Sequence, residues 1–136
     1  FLNFFIEKIR KKYICKNQIK KGISGTKQLL SCYKNGSSIA LMIDQRVTEG
    51  IKSNFFKHEA FTTTIPAQFI KKFNCKIVPI YIERINDINF KLKIYNPLKY
   101  STEDSIESIT LDLNSLLEQM ILKNPSQWIW SHNRWK

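Results

Sequence analysis

The segment Lys76-Ile77-Val78-Pro79-Ile80-Tyr81-Ile82-Glu83-Arg84 is rich in β-branched residues and predicts a strand. Pro79 cannot donate to a strand ladder, so we expect this strand to be locally irregular or at a sheet edge. Asn86-Asp87 predicts a turn, and apolar residues alternate with polar ones from Asn89 to Tyr95, which predicts a second strand. The two strands together predict an antiparallel hairpin.

Four segments on either side of the hairpin have apolar residues at helical spacing. The predicted helices begin at Phe1, at a Ser24 or Thr26 cap with an end near Tyr33, at Ile65 or Pro66 with an end at Phe73, and at a Ser101 cap with an end at Pro125. Asn35-Gly36 is typical of a helix end, because both residue types tolerate positive φ. One more short helix is expected in the tryptophan-rich tail.

The apolar run Ser37-Ser38-Ile39-Ala40-Leu41-Met42-Ile43-Asp44 predicts a buried strand that ends at a carboxylate. Residues 45–64 predict a polar loop. This order of helices and strands is typical of an α/β fold with a mixed sheet flanked by helices. Residues 1–136 are too few for a two-domain enzyme, and we expect them to lie in a single domain.

The net charge of +11 is concentrated near the N-terminus, where residues 1–34 hold nine Lys and Arg against Glu7 alone. Such a segment attracts a polyanion, which here means nucleic acid, an anionic membrane surface or a phosphorylated substrate. Compositional bias is an equal alternative, since Lys, Ile and Asn are frequent throughout the chain. The apolar stripe of the first helix can pack against protein or contact lipid, and packing is favoured because every globular helix needs such a stripe.

Several kinds of site are excluded by the motifs. The sequence has no Gly-x-Ser-x-Gly elbow, no glycine-rich phosphate loop and no Cys-x-x-Cys pair, and three cysteines indicate a reducing compartment. His58-Glu59 has no second ligand at helical spacing, so we predict neither a metal nor a cofactor. No apolar run is long enough to span a membrane. A small basic nucleic-acid-binding protein stays an alternative, although no recognised binding module accompanies the charge.

Asp44 has three possible roles on the sequence alone: capping the loop after its strand, pairing with Arg46 or another cation, or orienting a catalytic group. Carboxyl ends of strands are where open α/β sheets bind ligands. A structural role is nevertheless favoured for an aspartate considered in isolation.

Four features of the chain occur together in one known family. They are Asp44-Gln45, the segment Phe55-Phe56-Lys57-His58-Glu59-Ala60-Phe61-Thr62-Thr63-Thr64, Val78-Pro79-Ile80 with Arg84, and the tail Asn124-Pro125-Ser126-Gln127-Trp128-Ile129-Trp130-Ser131-His132-Asn133-Arg134-Trp135-Lys136. This pattern resembles the bacterial lipid A biosynthesis acyltransferases of the lauroyl and myristoyl type. The resemblance spans essentially the whole chain, and the tail is its most specific part. Lys57 stands where the family usually has glycine, which questions the tightness of that loop.

The resemblance implies a fold like that of the glycerolipid acyltransferases and an O-acyltransferase activity. The implied reaction moves a fatty acyl chain from acyl-carrier protein to a hydroxyl of a lipid A precursor, in lipopolysaccharide biosynthesis at the cytoplasmic face of the inner membrane. The partners would be the carrier protein, the glycolipid and an anionic membrane surface, and not nucleic acid.

The family's general base is a His in a His-x-x-x-x-Asp/Glu motif that this chain lacks, because Thr63 stands five positions after His58. We therefore expect a C-terminal part of the acyltransferase domain, incomplete at its N-terminus and inactive by itself. Among the residues present, the resemblance implies Asp44 as the catalytic candidate, with Gln45, Arg84 and Arg10 binding substrate. The tail tryptophans are expected to close the core rather than contact lipid, and His132 and Arg134 to serve the same element.

Overall fold

The computed structural model describes residues 2–19 and 22–135. The chain forms two compact units, Phe1–Leu41 and Met42–Lys136. Among the residues described, the first unit contains helices only and the second contains helices and strands, so the predicted α/β class is confirmed.

The first unit consists of α1, Leu2–Tyr13, and α2, Ile23–Lys34. Helix α1 buries none of its side chains, and Arg10, Lys11 and Lys12 form its last turn. Both predicted helices are confirmed, although the predicted start at Phe1 lies outside the described residues. Helix α2 ends at Asn35 followed by Gly36 with φ 83°.

The predicted side-chain cap of α2 is wrong. Helix α2 follows Gly22, whose φ of 109° suits glycine, and no side chain caps it. Thr26 lies inside the first turn instead, where its hydroxyl donates to the Gly22 carbonyl at 3.3 Å.

Residues 37–44 do not form the predicted buried strand. The segment is extended without ladder partners, and Leu41 and Met42 are 39% and 78% exposed. A short apolar run becomes a buried strand only if neighbouring strands satisfy its backbone, and no strand in the described residues pairs with it. Asp44 consequently lies in a bend and not at the end of a strand.

Residues 45–64, predicted as a loop, contain the hairpin of β1, Ile51–Phe55, and β2, His58–Thr62. Its two-residue turn has φ values of 50° at Phe56 and 63° at Lys57, so the turn is tight although neither residue is glycine. The inward side chains Ser53, Phe55, Ala60 and Thr62 are buried. Half of them are polar, and the apolar alternation that identifies a strand is therefore absent.

The second hairpin, β3 Ile80–Arg84 and β4 Phe90–Ile94, has the predicted antiparallel pairing, with Ile80 opposite Ile94. Pro79 precedes β3, and its carbonyl accepts from Tyr95 N at 3.0 Å. Only an isolated bridge, between Ile77 and Leu98, continues the pairing before it. The strand is thus irregular near its proline, as expected.

The two faces of this hairpin differ in chemistry. One carries apolar side chains that are more than half exposed: Ile80, Ile82, Phe90, Leu92 and Ile94. Each sheet has two antiparallel strands, so in the described residues two hairpins stand where a mixed sheet was predicted.

Helix α4, Ile106–Lys123, packs on β1, and helix α3, Ile65–Phe73, packs on α4. The bounds of α3 are as predicted. The start of α4 is not, because Ser105 is the cap and its hydroxyl accepts from Ser108 N. Ser101 belongs instead to a turn in which its backbone N–H donates to Asp104 at 2.8 Å.

The core has two buried clusters that both include α4. In the first, Ala67 and Ile70 of α3 meet Ile109 and Leu113 of α4. The second joins the first hairpin to the end of α4 through Phe55, Ala60 and Ile121. Burial of each large apolar side chain contributes roughly 1.5–3 kcal/mol, so α4 is the main organising element of this unit.

The tail forms two 3₁₀ turns, Pro125–Gln127 and Trp130–His132. Among the helices that the structure describes, none has the length and apolarity required to cross a membrane.

Candidate functional site

A fully buried arginine in the tail is the centre of the polar cluster of the second unit. The side chain of Arg134 is 0% exposed. Its Nη2 donates to Thr62 Oγ1 at 3.1 Å and to Asn114 Oδ1 at 2.8 Å. The tail is thereby joined to the end of β2 and to the buried side of α4.

Asn114 and Thr62 extend this network to the first hairpin. Asn114 Nδ2 donates to the Asn54 carbonyl and to Thr62 Oγ1, both at 3.0 Å, and the Thr62 hydroxyl donates to the Ala60 carbonyl at 3.2 Å. A buried amide needs such partners, because an unsatisfied polar group destabilises by about 1–3 kcal/mol. Arg134, Thr62 and Asn114 therefore lock β1, β2, α4 and the tail together.

The electrostatic environment of Arg134 is unusual for an arginine. Burial lowers its pKa to about 10, while the carboxylates of Asp44 and Glu118 act in the opposite direction. Its Cζ lies 4.0 Å from the centre of the Phe55 ring. Within the described residues, Arg134 Nε and Nη1 have no hydrogen-bond partner. The cation is thus only partly compensated, and the nearby carboxylates are its counter-charges.

Glu118 has a second contact that explains the tight hairpin turn. Its Oε1 accepts from Phe56 N at 2.7 Å. A charge-assisted bond of this length is among the stronger hydrogen bonds of proteins. It supports the positive φ of Phe56 and Lys57, which compensates for the missing glycine.

The tail tryptophans surround the ring of Phe55. Trp128 lies edge-on to it at 5.8 Å between ring centres, Trp135 stacks on it at 5.6 Å, and Trp135 Nε1 donates to the Phe55 carbonyl at 3.0 Å. Both tryptophans pack against the buried cluster, which confirms the expected closing role. Trp130 belongs to the same aromatic group but remains 45% exposed.

The tail also reaches the Asp44-Gln45 bend. His132 Nε2 accepts from Arg46 N at 3.1 Å, which fixes the backbone directly after Gln45. Asp44 and Gln45 are both half-buried, and Gln45 Nε2 lies 3.7 Å from Met42 Sδ. Two of the four features that carried the family resemblance, the tail and Asp44-Gln45, are therefore neighbours in space.

The other two predicted binding residues lie elsewhere. Arg84 is exposed, its Nη1 donates to the Asp87 carbonyl at 3.0 Å, and its Cζ lies 4.8 Å from the centre of the Phe90 ring. The Gln127 side chain binds its backbone through bonds of 2.9 and 2.7 Å. Arg10 lies on α1, in the other unit. Arg84 is not part of the Arg134 cluster.

Arg134, Thr62, Asn114 and Glu118 were not among the predicted site residues. A signal existed for Asn114, which interrupts the apolar stripe of α4 between Leu113 and Met120. The sequence carried no comparable signal for Thr62, one of three consecutive threonines, or for Glu118, one acid among several on the helix. Their importance comes from long-range contacts.

Chemically, this arrangement holds the half-buried carboxylate of Asp44 close enough to a buried guanidinium to act on its charge, and the half-buried amide of Gln45 follows Asp44 in the chain. Such a site can position a polar substrate group or stabilise a developing positive charge. Within the described residues, no group of three or more His, Cys, Asp or Glu side chains is arranged to hold a metal ion.

Comparison with known proteins gives one family. The family model described as "Bacterial lipid A biosynthesis acyltransferase" matches residues 6–136 of this chain. A search of curated proteins finds no match.

Proposed function

This chain belongs to the bacterial lipid A biosynthesis acyltransferases, and we propose that it forms one side of the active site of an enzyme that acylates a hydroxyl of a lipid A precursor. The observation that carries the activity is the match of the family over residues 6–136. The acyl donor that we expect is acyl-carrier protein. The match includes most of the basic N-terminal segment, so no feature is left that only a nucleic-acid-binding protein would explain.

Asp44 is our candidate for the catalytic group of this chain. Its carboxylate lies close enough to the buried Arg134 to raise the pKa of the guanidinium, and the His132 contact to Arg46 fixes the bend that carries it. A fixed anion stabilises an imidazolium. We assign to Asp44 the stabilisation of the charge that develops on the family's histidine base when that base takes the acceptor proton. Gln45 would position the acceptor beside it.

Arg134 is a positioning residue in this proposal. It is fully buried and cannot touch a substrate, but it provides the counter-charge of Asp44. The family histidine motif is absent from residues 1–136, so we expect this chain to be inactive without a part that supplies it.

The test of the catalytic assignment uses the full-length enzyme, with acyl-carrier protein as donor and a Kdo-bearing lipid A precursor as acceptor. We expect Asp44→Asn, which keeps the shape and removes the charge, to lower kcat about a hundredfold or more and to shift the pH profile of kcat. Asp112→Ala, an exposed acid on α4, is the matched control and should leave kcat unchanged. Unchanged turnover of Asp44→Asn would remove Asp44 from the active site.

Membrane association at the cytoplasmic face of the inner membrane is the second part of the proposal, and α1 supports it. Leu2, Phe4 and Phe5 are 72%, 75% and 60% exposed, and three cations form the last turn. Exposed apolar residues beside cations on one helix are typical of helices that lie in the interface of an anionic bilayer.

Vesicle flotation tests this surface. The chain should float with vesicles that contain phosphatidylglycerol and not with vesicles of phosphatidylcholine alone. Phe4→Ser with Phe5→Ser should abolish flotation, whereas Ile129→Ser, at another exposed apolar position (70%), should not. Equal flotation of both variants would refute a role for α1.

A further inference from the structure

We infer that the polar face of the β3–β4 hairpin, together with the end of α4, is a phosphate-binding site. This face is opposite the exposed apolar face of the same hairpin. A concavity of about 200 Å³ lies on it. Its lining consists of three lysines, two tyrosines and one glutamate: Tyr81, Glu83, Lys91, Lys93, Tyr95 and Lys123.

The strand register explains why these side chains converge. Tyr81 is opposite Lys93, and Glu83 is opposite Lys91, so all four lie on one face of the pleat. Lys123 comes from the last turn of α4. The site is therefore built by regular secondary structure and not by a mobile loop.

Lys123 is held in place at this face by aromatic side chains. Its Nζ donates to Tyr95 Oη at 2.6 Å and lies 5.0 Å and 5.7 Å from the ring centres of Tyr95 and Tyr81. Lys93 Nζ lies 4.9 Å from the same Tyr95 ring. An ammonium has three donors, and Tyr95 uses one donor of Lys123. The others remain for a ligand.

The charge of this face is not compensated. Three ammonium groups line the concavity against the single carboxylate of Glu83, and within the described residues none of the four forms an ion pair. Like charges that converge without counter-ions destabilise a fold unless an anion binds between them. The excess of two positive charges matches a phosphate monoester, whose charge is nearly −2 and whose oxygens are strong acceptors.

The identity of the molecule that carries this phosphate rests on the proposed function, whereas the phosphate site itself does not. In a lipid A acyltransferase the carrier would be the phosphorylated glycolipid acceptor. The lysines of this face, rather than Arg84, would then bind its phosphate. Arg84 points to the apolar face, where it contacts Phe90, its partner in the ladder.

The first test measures binding without any activity. Amide resonances of the chain are followed during titration with inorganic phosphate at constant ionic strength. We expect shifts confined to β3, β4 and the end of α4, and about fivefold weaker binding for Lys93→Gln, since one unit charge at about 4 Å in water is worth that factor. Tyr95→Phe, which keeps the ring and removes the acceptor of Lys123, should weaken binding as well.

Lys99→Gln is the matched control, an exposed lysine outside the concavity. The site would be overturned if Lys99→Gln weakened phosphate binding as much as Lys93→Gln does. It would also be overturned if the amide shifts were spread over the basic surface, including α1.

The second test identifies the carrier in the full-length enzyme. Lys93→Gln should raise KM for the phosphorylated acceptor at unchanged kcat and should not alter KM for the dephosphorylated acceptor. An equal rise for both acceptors, or a rise for acyl-carrier protein alone, would overturn the glycolipid assignment. If the enzyme acylates no lipid A precursor while phosphate still binds at this face, the proposed function fails and the site stands.

Discussion

Replacement of Arg134 by methionine tests whether the buried network stabilises the second unit. The change removes two hydrogen bonds from a cation, each worth about 1.5–3 kcal/mol, and the contact of Arg134 with the Phe55 ring, worth about 2 kcal/mol when desolvated. It also removes the cost of burying the cation, which lowers the pKa of Arg134 to about 10 and which offsets roughly 3 kcal/mol of the loss. The expected net loss is about 2–5 kcal/mol.

Urea unfolding followed by tryptophan fluorescence measures this loss, because all three tryptophans lie in the tail and two of them pack against Phe55. A loss of this size lowers the midpoint by about 1–3 M at unchanged slope. Arg46→Met is the matched control, since the Arg46 side chain is exposed and only its backbone N–H contacts the tail. A midpoint of Arg134→Met equal to or above that of the unchanged chain would refute the reasoning, because the buried cation would then be a net cost.

Three further predictions concern the same unit. Glu118→Ala should lower the unfolding free energy by about 1–3 kcal/mol because it removes the acceptor of Phe56 N. Glu118→Gln keeps an acceptor and should lose less than half as much. Equal losses in the two variants would contradict the role of that bond. Gly50→Ala should lower the urea midpoint more than either Glu118 variant, because a Cβ at this position would clash with the Thr62 carbonyl oxygen. A midpoint within error of that of the unchanged chain would show that the backbone moves to relieve the clash. The pKa of Tyr100 is raised, first by burial and then by two nearby carboxylates. The stability that this shift contributes is therefore full below the unfolded pKa and is lost as pH rises through the folded pKa. Tyr100→Phe should reduce the fall in urea midpoint between pH 9 and about 11, and an unchanged fall would argue against this role.

Local patterns in the sequence were sufficient for the elements whose signals lie within the segment itself. The helices α1, α3 and α4 and the β3–β4 hairpin follow from apolar periodicity and from turn residues that are neighbours along the chain. The family was likewise identifiable from sequence, because the tail and Asp44-Gln45 are short motifs that do not depend on contacts.

Tertiary structure decided the outcome wherever a segment depends on distant partners. Residues 37–44 have the apolar character of a buried strand, but the described part of the chain offers them no strand to pair with. Strands β1 and β2 lack that character and form because Asn114, Glu118 and Arg134 hydrogen-bond their hairpin from far along the chain. The candidate site follows the same rule. Asp44 was identifiable from sequence, but its counter-charge, a buried arginine 90 positions later, could be recognised only once the tail had folded back against the bend, because burial and Coulomb attraction depend on distance in space and not along the chain.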